Sequence, residues 1–339
     1  MKIGIIHEGK NPPDHRTPFT PQQLKRLSVQ YEGQLEFLVQ KSPIRSFSDE
    51  EYEQAGIQLV DDISEADVLF GVKEVPVKHL IPEKTYFFFS HTIKKQAKNR
   101  AMLQLILEKK IRLIDYEVLK DESGNRVVAF GYWAGVVGAY NAFWTYGKKT
   151  GLFDLKRAKE CKDLSELAFE LGQVQLPPIK IAITGSGRVG KGVLTIVEMM
   201  GLRGVNTHDF LHHYFEEPIY TVLSSSDFNR RKTDGGFDRE EFYTYPERYE
   251  SHFLKFAEQA ELLIAAAFWN PGAPRLFEMD DINSPDFSIS VIADITCDIE
   301  GSIPTTVKAS SIAEPVYDID RESGQNLPPL GKQTSISEM

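Results

Sequence analysis

An α/β fold of two Rossmann-like domains with an interdomain cleft is predicted by three observations. A strand-like run, Ile179 to Thr184, enters a glycine turn and continues into an amphipathic helix. Ahead of it, short apolar segments alternate with capped helical segments, the pattern of a parallel sheet wound by helices. The length of 339 residues suits two domains, and 41% hydrophobic content is ordinary for a globular chain.

Lys2 to His7 reads as the first strand, and the turn after it, ending at His15 and Arg16, contains two prolines that forbid helix. Thr20, Pro21 and Gln23 take the N-cap, N1 and N3 places of a capping box, with Leu24 and Leu27 starting an apolar face. Leu35 to Val39 is a short strand. Ser48 and Glu51 form a second capping box before a helix that ends at Gly56. Ala66 to Val75 and Thr85 to Phe89 are strands that deliver Lys73 and Glu74, then Ser90 and His91. A helix from Gln96 to Lys109, a strand from Ile111 to Leu119 and a strand from Arg126 to Phe130 complete the first half.

From Gly131 the chain turns to small and aromatic residues, read as a closely packed helix that hinges the domains, with Gly135 and Gly138 at near backbone contacts. Ser165 to Gly172 is a further helix, and Pro177-Pro178 opens the second domain. Gly185, Gly187 and Gly190 then match GxGxxG. The first allows the tight turn, the second lets a pyrophosphate touch the backbone, and the third lets helix and strand approach. The exposed amides that open the helix, at Arg188 and Val189, hold the diphosphate. Val193, Ile196, Val197 and Met200 give that helix its buried face. Asp209, about 20 residues on and read as ending the next apolar segment, is placed to accept bonds from the adenosine ribose, which favours NAD. Arg188 and Lys191 leave NADP possible.

Beyond Asp209, residues 224–250 are read as a polar excursion over the surface. Glu261 to Phe268 and Ser288 to Ile295 are strands, and Thr296, Cys297 and Asp298 end the latter at the same crevice. After Glu314 the sequence loses periodicity. A net charge of −10 argues against nucleic acid, and no apolar run approaches the 18 residues of a membrane span. The start reads as a strand rather than a signal peptide, so a cytoplasmic location is expected. Cys161 and Cys297 form no metal spacing, and no metal is expected.

Open α/β sheets place chemistry beyond the carboxyl ends of their strands, which singles out Lys73 and His91. Imidazole gives and takes a proton near neutrality, which makes His91 the leading proton-transfer group. Lys73 becomes a base only if burial or a neighbouring cation depresses its pKa; Glu74 and Glu117 would instead hold it charged. Arg16 and Arg126 are natural readers of a carboxylate. Taken singly, each of these also has a plain reading as a surface ion-pair partner.

Arg16-Thr17-Pro18, Val72-Lys73-Glu74 and Ser90-His91 resemble the alanine dehydrogenase and nicotinamide nucleotide transhydrogenase superfamily. The blocks FFFSHTIKKQ, RLIDYE, RVVAFGYWAGVVG, RKTDGG with YPERYESHF, and DITCDIEGSI resemble one branch: lysine-ketoglutarate reductase and lysine-forming saccharopine dehydrogenase. The resemblance implies reductive amination of 2-oxoglutarate by the side-chain amine of lysine, to saccharopine, and the reverse. It implies Lys73 and His91 as the acid/base pair, Arg16 and Arg126 on the oxoacid carboxylates, and Glu74 and Glu117 tuning the lysine. It also implies Lys94 lining the substrate site and Asp298 beside the nicotinamide ribose. The expected domains are 1–131 for substrate, rejoined by 316–339, and 132–315 for NAD, including the linking helix. The rivals are alanine-dehydrogenase-like chemistry and an inactive NAD-binding regulatory module. Oligomeric state is left open.

Overall fold

A computed structural model describes residues 1–331 and 335–339. The chain divides into two compact units, Met1–Ala129 and Phe130–Met339.

The first unit contains β1 (Lys2–Ile5), α1 (Pro21–Gln30), β2 (Glu36–Gln40), α2 (Asp49–Gln54), β3 (Gln58–Val60), β4 (Val68–Phe70), β5 (Thr85–Phe88), α3 (Arg100–Glu108) and β6 (Arg112–Asp115). The strands form a parallel six-stranded sheet in the order β3-β2-β1-β4-β5-β6, the doubly wound Rossmann order. Alternate residues serve opposite faces. Ile5, Val39 and Leu24 join one core cluster with Tyr52, while Ile6, Leu38, Leu69 and Phe88 join another with Ile106. Both predicted capping boxes form, Thr20 with Gln23 and Ser48 with Glu51. The predicted strand from Arg126 to Phe130 does not; its trace is an isolated bridge between Lys120 and Arg126 that closes the preceding turn. β3, unforeseen, is a three-residue edge strand too short to leave a period.

The second unit contains α4 (Gly131–Thr150), α5 (Leu164–Leu171), β7 (Lys180–Thr184), α6 (Arg188–Met199), β8 (Arg203–Gly204), α7 (Thr207–His212) and β9 (Ile219–Leu223). It continues through α8 (Ser225–Phe228), β10 (Asn229–Arg231), α9 (Arg239–Thr244), β11 (Tyr249–Ser251), α10 (Leu254–Ala257), β12 (Leu262–Ala265), β13 (Val291–Asp294), β14 (Tyr317–Asp320), β15 (Asn326–Leu327) and β16 (Ser335–Glu338). An eight-stranded sheet runs β15-β14-β16-β13-β12-β7-β9-β8, with β10 and β11 forming a separate hairpin. The strands from β8 to β16 along that order are parallel; β14 runs antiparallel to both of its neighbours, β16 and β15.

Three readings bear on this unit. The close packing expected of the small residues in α4 is present and falls on α6: a Cβ on Gly135 would lie 1.9 Å from the Val189 carbonyl oxygen, and one on Gly192 2.0 Å from that of Tyr132. Second, residues 316–339, expected to rejoin the first domain, add β14, β15 and β16 to the second sheet, with residues 332–334 outside the described ones. This segment looks polar because its hydroxyls are spent inside. Ser335 and Ser337 donate to the buried Asp318 carboxylate at 2.6 and 2.7 Å, and the Lys149 ammonium donates to Ser337 at 2.9 Å. Third, part of the supposed surface excursion has its own core, where Phe242 and Tyr249 are buried with Ala273 against Phe237 and Trp269.

Candidate active site

Two groups of residues stand beyond the carboxyl ends of the two sheets. In the first unit, Lys73 and Glu74 follow β4, His91 follows β5 and Glu117 follows β6. Parallel neighbours in register bring these strand ends side by side, as doubly wound sheets do. Lys73 Nζ lies 3.2 Å from His91 Nε2, and His91 Nδ1 lies 3.1 Å from Glu117 Oε2. A carboxylate only accepts, so Nδ1 carries the hydrogen and Nε2 turns its lone pair toward the lysine. Glu74 Oε1 stands 3.8 Å from the same Nε2, and Lys94 Nζ 3.4 Å from Glu117 Oε1. His91 itself holds a left-handed backbone, φ 53°, which a non-glycine residue keeps only when its surroundings impose it.

Residues outside the predicted set support this group. Glu8, after β1, is buried and its carboxylate accepts the backbone N–H of Val72 at 2.6 Å and of Lys73 at 2.9 Å, fixing the turn that aims Lys73. Burial raises the Glu8 pKa against those two bonds. Burial likewise lowers the Lys73 pKa, and the nearby Lys10 ammonium lowers it further, while Glu74 opposes both. For Glu74, burial pushes upward, but its own amide and the cations Lys10 and Lys73 help to outweigh it and leave it below the ordinary value. Arg16 grips Asp14, with Nε to Oδ1 at 2.8 Å, and its charge is felt at both Glu8 and Lys73. Arg126 is exposed on the bridge to Lys120.

In the second unit a cavity of about 1030 Å³ opens at the ends of β7, β9, β12 and β13. Gly185, Gly187, Arg188 and Val189 line it from the turn after β7. Gly185 has φ 88°, and a Cβ there would lie 2.7 Å from Ala267 Cα. A Cβ on Gly190 would lie 2.2 Å from the Gly185 carbonyl oxygen, whereas one on Gly187 meets nothing within 4 Å. The turn therefore has one glycine for φ, one for packing, and one beside open space at the N-terminus of the twelve-residue α6. A diphosphate fits that cradle. Thr296 and the exposed Asp298 close the cavity from beyond β13.

Asp209 is elsewhere. It does not end a strand but sits in α7, with the Asn206 side chain capping its amide at 2.8 Å and donating to its carboxylate at 2.9 Å; the cavity lining does not include it. The reason is topological. The strand that follows α6 in sequence, β8, goes to the sheet edge, and β9 takes the place beside β7. The strand end beside β7 is thus that of β9, where Ser224, Ser225 and Ser226 line the cavity, joined by Asp238 and Arg239 from the 224–250 segment. The run Ile219 to Leu223 before three serines was a strand-end signal in the sequence; counting residues from the glycines passed over it.

Among the described residues, no helix is long and apolar enough to cross a membrane, and no group of three or more His, Cys, Asp or Glu residues could hold a metal ion.

Residues 4–137 match the alanine dehydrogenase/PNT N-terminal domain. An L-alanine dehydrogenase structure aligns with 94% of this chain and 80% of its own, at TM-score 0.56 and 19% identity, which shows a shared fold. In sequence the chain is similar to alpha-aminoadipic semialdehyde synthases and to lysine-forming saccharopine dehydrogenases. It is 34% identical to mitochondrial alpha-aminoadipic semialdehyde synthase of Bos taurus over 94% of this chain and 39% of that protein. The Rattus norvegicus protein of the same name is 32% identical with the same coverage. The lysine-forming, NAD(+) saccharopine dehydrogenase of Yarrowia lipolytica is 25% identical over 96% of this chain and 84% of its own length. The chain thus spans about two fifths of the animal relatives it matches.

Proposed function

We propose that this chain is a nicotinamide-dependent oxidoreductase that couples the side-chain amine of lysine to 2-oxoglutarate, forming saccharopine, and runs the reverse reaction. The line Lys73, His91, Glu117 carries the reading: three proton-handling groups in hydrogen-bond sequence at adjacent strand ends. Amine attack on the keto carbon gives a carbinolamine, water leaves, and the resulting imine needs a hydride, which a bound nicotinamide supplies. Each proton step falls to this chain. Lys73, its pKa lowered by burial, takes a proton from the attacking ammonium and passes it through His91, whose imidazolium Glu117 stabilises. The same pair returns a proton to the departing hydroxyl. Glu74 offsets the charge around His91, Lys94 lines the approach through Glu117, and Arg16 and Arg126 hold the oxoacid carboxylates. Asp298, which lines the cavity, would stand beside the nicotinamide ribose.

Gly187 and the Arg188 and Val189 amides would hold the diphosphate, with Gly185 and Gly190 shaping the turn that presents them. The serines after β9 and Arg239 support acceptance of a 2′-phosphate, while Asp238 beside them suits the free ribose hydroxyls, so the lining supports NADP as well as NAD. The test is oxidation of NADH and of NADPH with lysine plus 2-oxoglutarate, beside pyruvate plus ammonium. Turnover with the first pair is expected; turnover only with the second, or none, overturns the substrate assignment.

A further inference from the structure

The cavity wall beyond β13 is tied to the C-terminal strand through buried acids. Asp294 ends β13 only 3% exposed. Its Oδ1 accepts the Thr296 amide at 3.1 Å and the Thr296 hydroxyl at 2.6 Å, and its Oδ2 accepts the Thr306 hydroxyl at 2.7 Å. Glu338 on β16, 1% exposed, places Oε1 3.2 Å from that same Thr306 oxygen and accepts the Thr305 hydroxyl on Oε2 at 2.7 Å. A threonine hydroxyl has one hydrogen. Donated to Asp294, it leaves Thr306 an acceptor toward Glu338, so the contact with Glu338 needs a hydrogen on the Glu338 carboxyl.

The surroundings favour that neutral acid. Burial first, and the Asp294 charge second, hold the Glu338 proton well above the ordinary carboxyl range, against the two threonine bonds. The titratable groups around it are Asp294 from β13 and Tyr317, its register partner on β14; the Lys149 ammonium of α4 is committed one residue away, at Ser337. The turn being held is strained. Cys297 and Glu300, on either side of Asp298, have φ 49° and 62°, which non-glycine residues keep only when fixed from outside.

We propose that Glu338 is a positioning residue: as a neutral acid it completes the chain Glu338, Thr306, Asp294, Thr296 that fixes the turn carrying Asp298 at the cavity. Its ionisation sets two carboxylates against one hydroxyl and loosens that turn. The consequence for cofactor affinity rests on the nicotinamide reading above; the fixing of the turn does not. The sign follows from the raised pKa: the bridge is intact at low pH and is lost as pH rises through the folded-state value.

Amide hydrogen exchange over residues 294–301, corrected for intrinsic rates, and NADPH affinity are measured at matched pH from about 6 to about 10. The proteins are the wild type, Glu338→Gln and Thr306→Val. Glutamine presents the same donor and acceptor without a titrating proton, so it should keep protection and affinity flat, while the wild type loses both as pH rises. Thr306→Val removes the bridge in a side chain of equal shape; protection should fall and NADPH bind about five- to tenfold more weakly at every pH. Protection and affinity in Thr306→Val equal to wild type overturn the proposal, as does Glu338→Gln that tracks a wild-type decline with pH. Absence of both NADH and NADPH binding by the wild type overturns the nicotinamide reading alone, and the exchange data then decide the positioning role.

Discussion

The two strand-end sites are built from opposite materials. In the first unit Lys73, Glu74, His91 and Glu117 are charged or titratable, partly buried, and already bonded to one another. In the second, the cavity presents glycine backbone, three serines and aromatic surface such as Phe268, 80% exposed, with Arg188, Asp238, Arg239 and Asp298 also in its lining. The carboxyl ends of the two sheets thus carry different chemistry. Groups that move protons need neighbours to set their pKa, whereas a site for a long anionic ligand needs open space, free amides and hydroxyls.

Substitutions on either side should separate these tasks. The largest effect is expected from Lys73→Met, with turnover falling about a hundred- to ten-thousandfold while NADPH affinity stays unchanged. The variant should not melt earlier. Folding lowers the Lys73 pKa, so the charged lysine costs stability below the ordinary lysine value, and stability rises with pH across that window; methionine removes the cost. A thermal melt at neutral pH beside a stopped-flow rate checks both halves.

Next come the glycines of the second unit. Gly190→Ala forces a Cβ to 2.2 Å from a backbone oxygen and should cost about 1–3 kcal/mol in denaturant unfolding. Gly187→Ala meets nothing within 4 Å; it should leave stability alone and weaken NADPH by about tenfold in a fluorescence titration. Equal stability losses in the two variants would contradict the division of labour.

A smaller effect is expected at the ribose position. Ser225→Asp should shift preference toward NADH by about tenfold, and Asp209→Ala should leave the ratio of the two affinities unchanged. The reverse outcome would return the ribose to α7. The smallest is a shift in pH dependence. Lys10→Ala removes a charge that lowers the Lys73 pKa, so the limb of the rate profile governed by Lys73 should move to higher pH.

Much of the first site was legible because its residues sit at the ends of apolar runs, where α/β sheets put chemistry. Lys73 and His91 needed no more than strand reading to be set beside each other. Glu8 was not legible, since its task, capping the amides of Val72 and Lys73, joins residues 64 and 65 positions apart. The glycine turn was equally readable, strand, turn and helix being local. Asp209 misled because sequence distance stood in for sheet position, and β8 and β9 exchange the places that distance assumes. The strands after residue 316 were hidden because serines and acids that read as loop are buried partners of Lys149, Thr305 and Thr306.

The central claim is that proton handling and dinucleotide binding reside in separate residue sets of one enzyme. His91→Ala tests it most directly, through NADPH affinity and the single-turnover rate of nicotinamide oxidation with lysine and 2-oxoglutarate. Affinity within about twofold of wild type and a rate lower by at least about a hundredfold are predicted. An unchanged rate, or loss of NADPH binding in a folded variant, would contradict it.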